Sequence, residues 1–383
     1  MDKNPFTPAF GGKPQHFFGR AVELALIEDA LENELSPHRA LFVTGNRGCG
    51  KTSLLEQASG MAQRHGWVAV DVHAEDSVMS VVKKLAGGTG KTTTKVLQPQ
   101  VMGVSAGSVS SETSVGYSGI DLADVIREKL EAVKAPQGVF ISVDEVQKID
   151  ERNAEGLCIG VQMTMRKGLP VMLVLAGLPG SKERIAAFEG CTFMQRALDV
   201  KLSSLLVEET YDAFDGLLGL LPHVGVGETV RDGLARFSLG YPYLIQLIGF
   251  HALRIAQENR PVGVLDILPE DVAAAEGIAY EAYRDNVLKP AVAPLRNGTL
   301  DYLRAMARCI DGSGRAQTPD VAAALGKETP ECSTARQRLI DRRLIVPDGR
   351  GFVRFNMPYL GRYLLEEEAE DAFATVTPGS WLF

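Results

Sequence analysis

The chain has 383 residues, 45% of them hydrophobic, and a formal net charge of −8. That length exceeds what one core usually organises, so two or three domains are expected. A charged fraction of 23% excludes a disordered or fibrous chain, and the acidic balance argues against a surface coated throughout by nucleic acid. The charge is uneven: residues 291–365 hold 12 Lys+Arg against 7 Asp+Glu, a basic segment in an otherwise acidic chain.

The five cysteines, Cys49, Cys158, Cys191, Cys309 and Cys332, form no CxxC pair. They read as free thiols in a reducing compartment, with the cytoplasm as the expected location. The first ten residues carry no signal-peptide pattern. No stretch reaches ~18 uninterrupted apolar residues, so no membrane association is expected.

In chain order, residues 1–15 are rich in Pro and Gly and read as an irregular arm. A helix with Val22, Leu24, Leu26, Ile27 and Leu31 on its apolar face should follow. The apolar run 40–44 ends in a glycine loop and predicts a buried strand, with helical periodicity from Lys51 to about Arg64 and a second strand over 67–72. This is the β–loop–α–β order of a parallel crossover unit. Residues 86–119, rich in Gly, Ser, Thr and Val, read as a hairpin or flexible insertion. A helix over 122–133, a strand over 138–145 ending in two acids, a helix over 154–167, a strand over 169–177 and a last strand over 198–202 complete a core of residues 1–205. Helices over 207–221, 227–238, 241–258 and 270–288 predict a helical lid, residues 206–290. Residues 291–365 predict short helices over 319–325 and 333–343, then two strands over 344–347 and 351–355 joined at Asp348-Gly349. That is winged-helix order. The tail from 366 to 383 is acidic before it ends in Trp381-Leu382-Phe383.

Gly45-Asn46-Arg47-Gly48-Cys49-Gly50-Lys51-Thr52 fits G-x-x-x-x-G-K-[ST], between a strand and a helix. Glycines at this spacing let the backbone curl so that its N–H groups point at phosphate oxygens, and the following helix adds its N-terminal dipole. Lys51 would reach the terminal phosphates of ATP, and the Thr52 hydroxyl, followed by Ser53, would meet Mg²⁺. Arg47 is either a phosphate contact or solvent-exposed. Gly90-Lys91-Thr92 lacks the preceding glycine and strand and reads as a loop.

Asp144 and Glu145, at the carboxyl end of a buried strand, are the acids that complete such a site. Asp144 would hold Mg²⁺ through its water shell, and Glu145 would polarise the attacking water. Both are expected to face the loop from the adjacent strand. His65, His73, His223 and His251 are isolated and have no ligand spacing.

These residues resemble the AAA+/STAND superfamily of P-loop ATPases, and within it the ATPases of origin recognition and replication licensing. His16-Phe17-Phe18-Gly19-Arg20 followed by Glu23-Leu24 is similar to that family's GR-x-x-E-L motif, which implies that Gly19 and Arg20 lie near the adenine. The resemblance runs on through Thr44–Leu55 and Asp144-Glu145. It implies a three-layer α/β P-loop fold of the ASCE/AAA+ type with a parallel sheet, a helical lid and a C-terminal winged helix. It also implies ATP/ADP and Mg as cofactors, and a homo-oligomer in which Arg196 acts as an arginine finger. A surface arginine paired with an acid is the alternative for Arg196. Tyr241-Pro242, after Gly240, falls where related chains place a step near the lid; these residues either touch the base or simply start a helix with proline in its first turn. One departure stands out: the end of the 169–177 strand, where the family usually carries a polar sensor, is Ala176-Gly177-Leu178-Pro179-Gly180, with Ser181 the first hydroxyl. Arg336, Arg338, Arg342 and Arg343, on or just after the second winged-helix helix, suit a recognition helix on DNA. A protein partner docked on the same unit is the other reading.

Overall fold

The computed structural model describes residues 4–9, 16–86, 122–133, 136–260 and 265–376. The insertion read over 86–119 and the Gly90-Lys91-Thr92 loop therefore fall outside the described residues, apart from Ala86, which ends a helix.

Five short apolar runs form one parallel sheet. They are β1 (Ala40–Thr44), β2 (Trp67–His73), β3 (Gly138–Asp144), β4 (Val171–Gly177) and β5 (Leu198–Lys201), in the order β2-β3-β4-β1-β5. Every residue of β3 and β4 is buried, as expected of strands covered on both faces. Alternate side chains serve two cores. Leu41, Val43, Phe140 and Met172 join one, with α1 (Ala21–Glu32) and α2 (Lys51–Arg64). Phe42, Val139, Ile141 and Leu173 join the other, with α3 (Ser77–Ala86), α4 (Leu122–Ala132) and α5 (Glu151–Arg166). The result is the expected three-layer α/β core. Strand order corrects one expectation: β4 lies between β1 and β3, so the acids reach the glycine loop from the next strand but one.

After β4, α6 (Ser181–Ala186) and a 3₁₀ segment (Glu189–Arg196) lead to β5. The next block contains α7 (Val207–Leu218), α8 (Glu228–Ser238), α9 (Pro242–Asn259) and α10 (Pro269–Tyr283). Two three-residue strands not read from the sequence, β6 (Val224–Val226) and β7 (Leu265–Ile267), pair in parallel within this block. A π-helical turn (Arg284–Leu288) continues α10 into α11 (Lys289–Val292).

The C-terminal block consists of α12 (Asn297–Arg308), β8 (Arg315–Gln317), α13 (Thr318–Ala324), α14 (Ser333–Asp341), β9 (Ile345–Pro347) and β10 (Phe352–Phe355). Its sheet is antiparallel, in the order β8-β10-β9, so a third strand joins the two expected. The closing helix α15 (Leu360–Val376) runs through the first part of the acidic segment. Glu366 accepts from the Tyr280 hydroxyl and from Arg362, and Glu367 from the Tyr363 hydroxyl at 2.7 Å, so these acids belong to a packed helix rather than a tail.

Candidate active site

The loop after β1 is held by its carbonyls. Lys51 Nζ donates to Gly45 O and Asn46 O, both at 2.9 Å. The Tyr241 hydroxyl donates to Arg47 O, Tyr243 N–H to Gly48 O at 3.1 Å, Arg20 Nη2 to Cys49 O at 3.3 Å, and Leu54 N–H to Gly50 O at 3.0 Å. All six carbonyls of Gly45–Gly50 thus have donors. Among the described residues, no protein acceptor meets the amides of residues 46–50. The loop therefore offers N–H groups, as an anion cradle requires. Gly48 and Gly50 carry φ of 79° and 92°, the left-handed backbone that glycine adopts without strain.

The acids meet the loop's helix. Thr52 Oγ1 donates to Asp144 Oδ2 at 2.6 Å, and Asp144 Oδ1 accepts from Glu145 N–H at 2.8 Å. Glu145 has φ 58°, a turn out of β3, and lines the cavity described next. The hydroxyl of Thr52 and the carboxylate of Asp144 are hard oxygen donors of the kind a magnesium ion takes, so the residues present fit that ion.

A cavity of about 460 Å³ opens over the loop, a size suited to one small organic ligand. Its lining includes Arg47, Gly48, Cys49, Gly50, Lys51, Thr52, Ser53 and Glu145. The lining also includes Phe17, Phe18, Ile245 and Gln246, the residues Pro242 and Tyr243 that pack beside the loop's glycines, and the N-terminal strap Thr7-Pro8-Ala9. Residues 4–9 have no helix or strand, as expected of an irregular arm, but they are anchored. Thr7 N–H donates to Gln246 Oε1 at 2.7 Å, Asn4 Nδ2 to Phe250 O at 3.2 Å, and Phe6 is buried against Gly249 of α9.

Gly19 and Arg20 turn in left-handed backbone, and Arg20 N–H donates to Glu209 Oε1 at 3.2 Å. The buried Arg20 guanidinium then joins the carbonyl of Cys49 to that of Ser203, just past β5. Arg20 lines the cavity, while Gly19 supports the turn beneath it. Tyr241 is buried rather than base-facing. Burial, with Tyr283 beside it, pushes its phenol well above the ordinary value, so it remains a neutral donor to Arg47 O. Pro242 takes the first turn of α9 and also lines the cavity.

The remaining expected residues divide. Arg196 is exposed at the end of its 3₁₀ segment and does not line the cavity; among the described residues no carboxylate pairs with it. Arg338 and Arg342 are exposed on and after α14, and Arg336 is half-buried. Arg343 corrects its assignment. It turns inward in left-handed backbone, φ 52°, donates to Thr44 O at 3.2 Å and lies 3.6 Å from Asp199 Oδ2. Its own carbonyl accepts from Asn46 Nδ2 at 3.0 Å. The loop's Asn46 is therefore tied to the C-terminal block. Burial lowers the pKa of Arg343, with Asp199 opposing.

Sequence reasoning missed the strap, Asn286 of the π-turn, whose amide donates to the Tyr243 hydroxyl at 3.3 Å, and Gln147, which donates to Glu145 Oε2 at 2.5 Å. A glutamine two residues after the acid pair was the one local signal available.

Residues 16–174 match the model of the AAA ATPase domain. This segment is an AAA ATPase domain. Residues 285–364, outside it, match a model described as a domain of unknown function, DUF8462. Over 71 residues the chain is 32% identical to the chromosomal replication initiator protein DnaA of Aquifex aeolicus, a stretch that spans 18% of each chain. The fold is similar to that of the ORC2 protein of Aeropyrum pernix, solved in ADPNP-ADP complexes, with a TM-score of 0.58 at 14% identity over 96% of this chain and 98% of that one. It is also similar to Cdc6p from Pyrobaculum aerophilum, with a TM-score of 0.50 at 14% identity over 97% and 99%. The AAA ATPase domain and the blocks after it thus share one architecture with these chains along nearly their whole length. Among the described residues, no helix is long and apolar enough to cross a membrane.

Proposed function

We propose that this chain binds and hydrolyses ATP, and uses the nucleotide state to reposition a C-terminal winged helix that acts on DNA. The observation that carries the reading is the loop whose six carbonyls are all engaged, with Lys51 buried within it and Thr52 bonded to Asp144. The AAA ATPase domain match, and the nucleotides named for the ORC2 relative, support it.

The phosphates would lie on the amides of residues 46–50, with Lys51 turning from its two carbonyl partners to the β- and γ-phosphates. Magnesium held by Thr52 and Asp144 would neutralise phosphate charge when bound. Glu145 would orient a water for in-line attack: the water oxygen bonds to the γ-phosphorus, the bond from that phosphorus to the β–γ bridging oxygen breaks, and the water's proton passes to the Glu145 carboxylate. Arg196, exposed and unpaired by any described carboxylate, suits donation to a neighbouring subunit's site in a homo-oligomer. The base would lie between Phe17, Phe18 and the strap, near Arg20.

The proposed units are a core over residues 1–205, a lid over 206–290 and a winged helix over 291–365. In the last, α14 presents Arg338, the residue after it is Arg342, and the β9–β10 turn presents Arg350, all exposed. The chromosomal replication initiator named among the relatives supports a DNA role. A protein partner is the second reading, favoured by the withdrawal of Arg343 and part of Arg336 from that face.

Replacing Lys51 by Ala should abolish tight nucleotide uptake, and Glu145→Gln should bind as the parent does while losing turnover by ~10²–10⁴-fold. Parent-rate hydrolysis by the Glu145 variant would remove the role given to it. Gel-shift titration with and without ATP at two salt concentrations tests the DNA reading; salt-sensitive binding weakened by replacing Arg338 and Arg342 is expected. Absence of salt-sensitive binding in either state would leave the protein-partner reading.

A further inference from the structure

The end of β4 has no room for a side chain of its own. A Cβ on Gly177 would stand 2.6 Å from Ser181 Oγ and 2.7 Å from Val146 Cγ2. A polar group there, reaching toward the acids, is sterically excluded. The connection between β4 and the acid pair runs the opposite way. Gln147 lies on the turn after Glu145; its Oε1 accepts from Leu178 N–H, one residue past β4, at 3.1 Å, and its Nε2 donates to Glu145 Oε2 at 2.5 Å.

Chemistry fixes the amide's orientation. A backbone N–H can only donate and an ionised carboxylate can only accept, so the oxygen must face Leu178 and the nitrogen Glu145. The turn carrying Gln147 is itself braced. Arg184 of α6 donates to Val146 O at 3.1 Å and Ile149 O at 2.6 Å, and Lys148 N–H donates to Glu145 O at 2.8 Å. A carboxamide on a rigid turn, anchored at one end by a main-chain amide, leaves Glu145 few orientations. One carboxylate oxygen is engaged by Gln147, and the other is left for the cavity that Glu145 lines.

We propose that Gln147 is a positioning residue for Glu145, linking the carboxylate to the end of β4 and selecting which of its oxygens meets the attacking water. The proposal rests on the ATPase reading above and names the group that orders its base. Gln147 itself does not line the cavity.

The test compares ATP turnover and the Kd of a fluorescent ATP analogue with magnesium for the parent, Gln147→Glu and Gln147→Leu. Gln147→Glu keeps an acceptor for Leu178 N–H but sets a like charge against Glu145. Gln147→Leu removes both bonds. Both are expected to lose ~10–100-fold in kcat with an unaltered Kd, the signature of a misplaced catalytic group rather than a damaged pocket. Parent-like turnover by Gln147→Glu would reduce Gln147 to a loop anchor and overturn the proposal, as would a Kd that weakens in step with kcat in that variant. Should Gln147→Leu fail to fold, Gln147→Glu decides alone. A parent that takes up no nucleotide sinks the ATPase reading itself, whereas a parent that turns over beside an equally active Gln147→Glu sinks only the role of Gln147.

Discussion

A Cβ on Gly48 would stand 2.8 Å from Cβ of Tyr243 and 3.3 Å from the Tyr241 ring, on backbone with φ 79°. Gly48→Ala therefore combines left-handed strain with a push against the start of α9. Gly50→Ala, at φ 92° with nothing nearer than Pro242 Cγ at 4.0 Å, adds strain alone. Strain of this kind costs ~1–3 kcal/mol. Denaturant unfolding should rank Gly48→Ala below Gly50→Ala in stability, with the larger loss of nucleotide affinity also at Gly48. Equal losses would mean that the fit against Tyr243 contributes nothing. The spacing of the loop made these glycines legible in the sequence, because left-handed backbone is a local demand. Gln147 was not legible. Its partners are a carboxylate two residues away and a main-chain amide 31 residues on, and no local pattern encodes the second.

The apolar runs that form β1, β3 and β4 were readable because a strand buried on both faces must be apolar throughout. Their order was not, since the insertion of β4 between β1 and β3 leaves no periodic trace. The three-residue strands β6, β7 and β8 are too short to show alternation. The N-terminal strap was hidden for a different reason. Pro and Gly report local backbone irregularity, whereas the strap is fixed by Phe6 seated over Gly249, where a Cβ would stand 2.2 Å from the ring. Phe6 is 1% exposed and its ring centroid lies 6.2 Å from that of Phe214. Phe6→Ala should cost about 3 kcal/mol, less where the strap can settle into the gap. Because Thr7, Pro8 and Ala9 wall the cavity, the same change should weaken nucleotide binding while leaving the loop's own residues intact. Unchanged affinity in titration calorimetry, beside a measurable loss of stability, would show that the strap braces α9 without shaping the site.

At the scale of the whole molecule, one junction ties the C-terminal block to the loop after β1. Arg343 Nη1 donates to Thr44 O, Arg343 Nη2 faces Asp199, and Asn46 Nδ2 donates back to Arg343 O. Asp199 also accepts the Thr44 hydroxyl at 2.5 Å and lies 4.0 Å from Lys201 Nζ, so it keeps partners when the arginine is removed. The sequence placed Arg343 among basic surface residues because composition registers charge and not the direction of a side chain. Its inward turn depends on left-handed backbone after α14 and on an aspartate on β5. Nucleotide uptake would draw Lys51 away from Asn46 O, which alters the hold on the residue that carries the tie. In the parent, ATP with magnesium should therefore change amide hydrogen exchange around residues 342–345. Arg343→Ala should speed exchange there roughly tenfold without nucleotide, about 1.4 kcal/mol of lost local stability, a size ordinary for a bonded, half-buried charge. The variant should still take up nucleotide, yet its exchange in this segment should no longer respond to ATP. If the response persists unchanged in Arg343→Ala, the nucleotide reaches the C-terminal block by another route, with the contacts of Tyr241 and Tyr243 on Arg47 O and Gly48 O the next to examine.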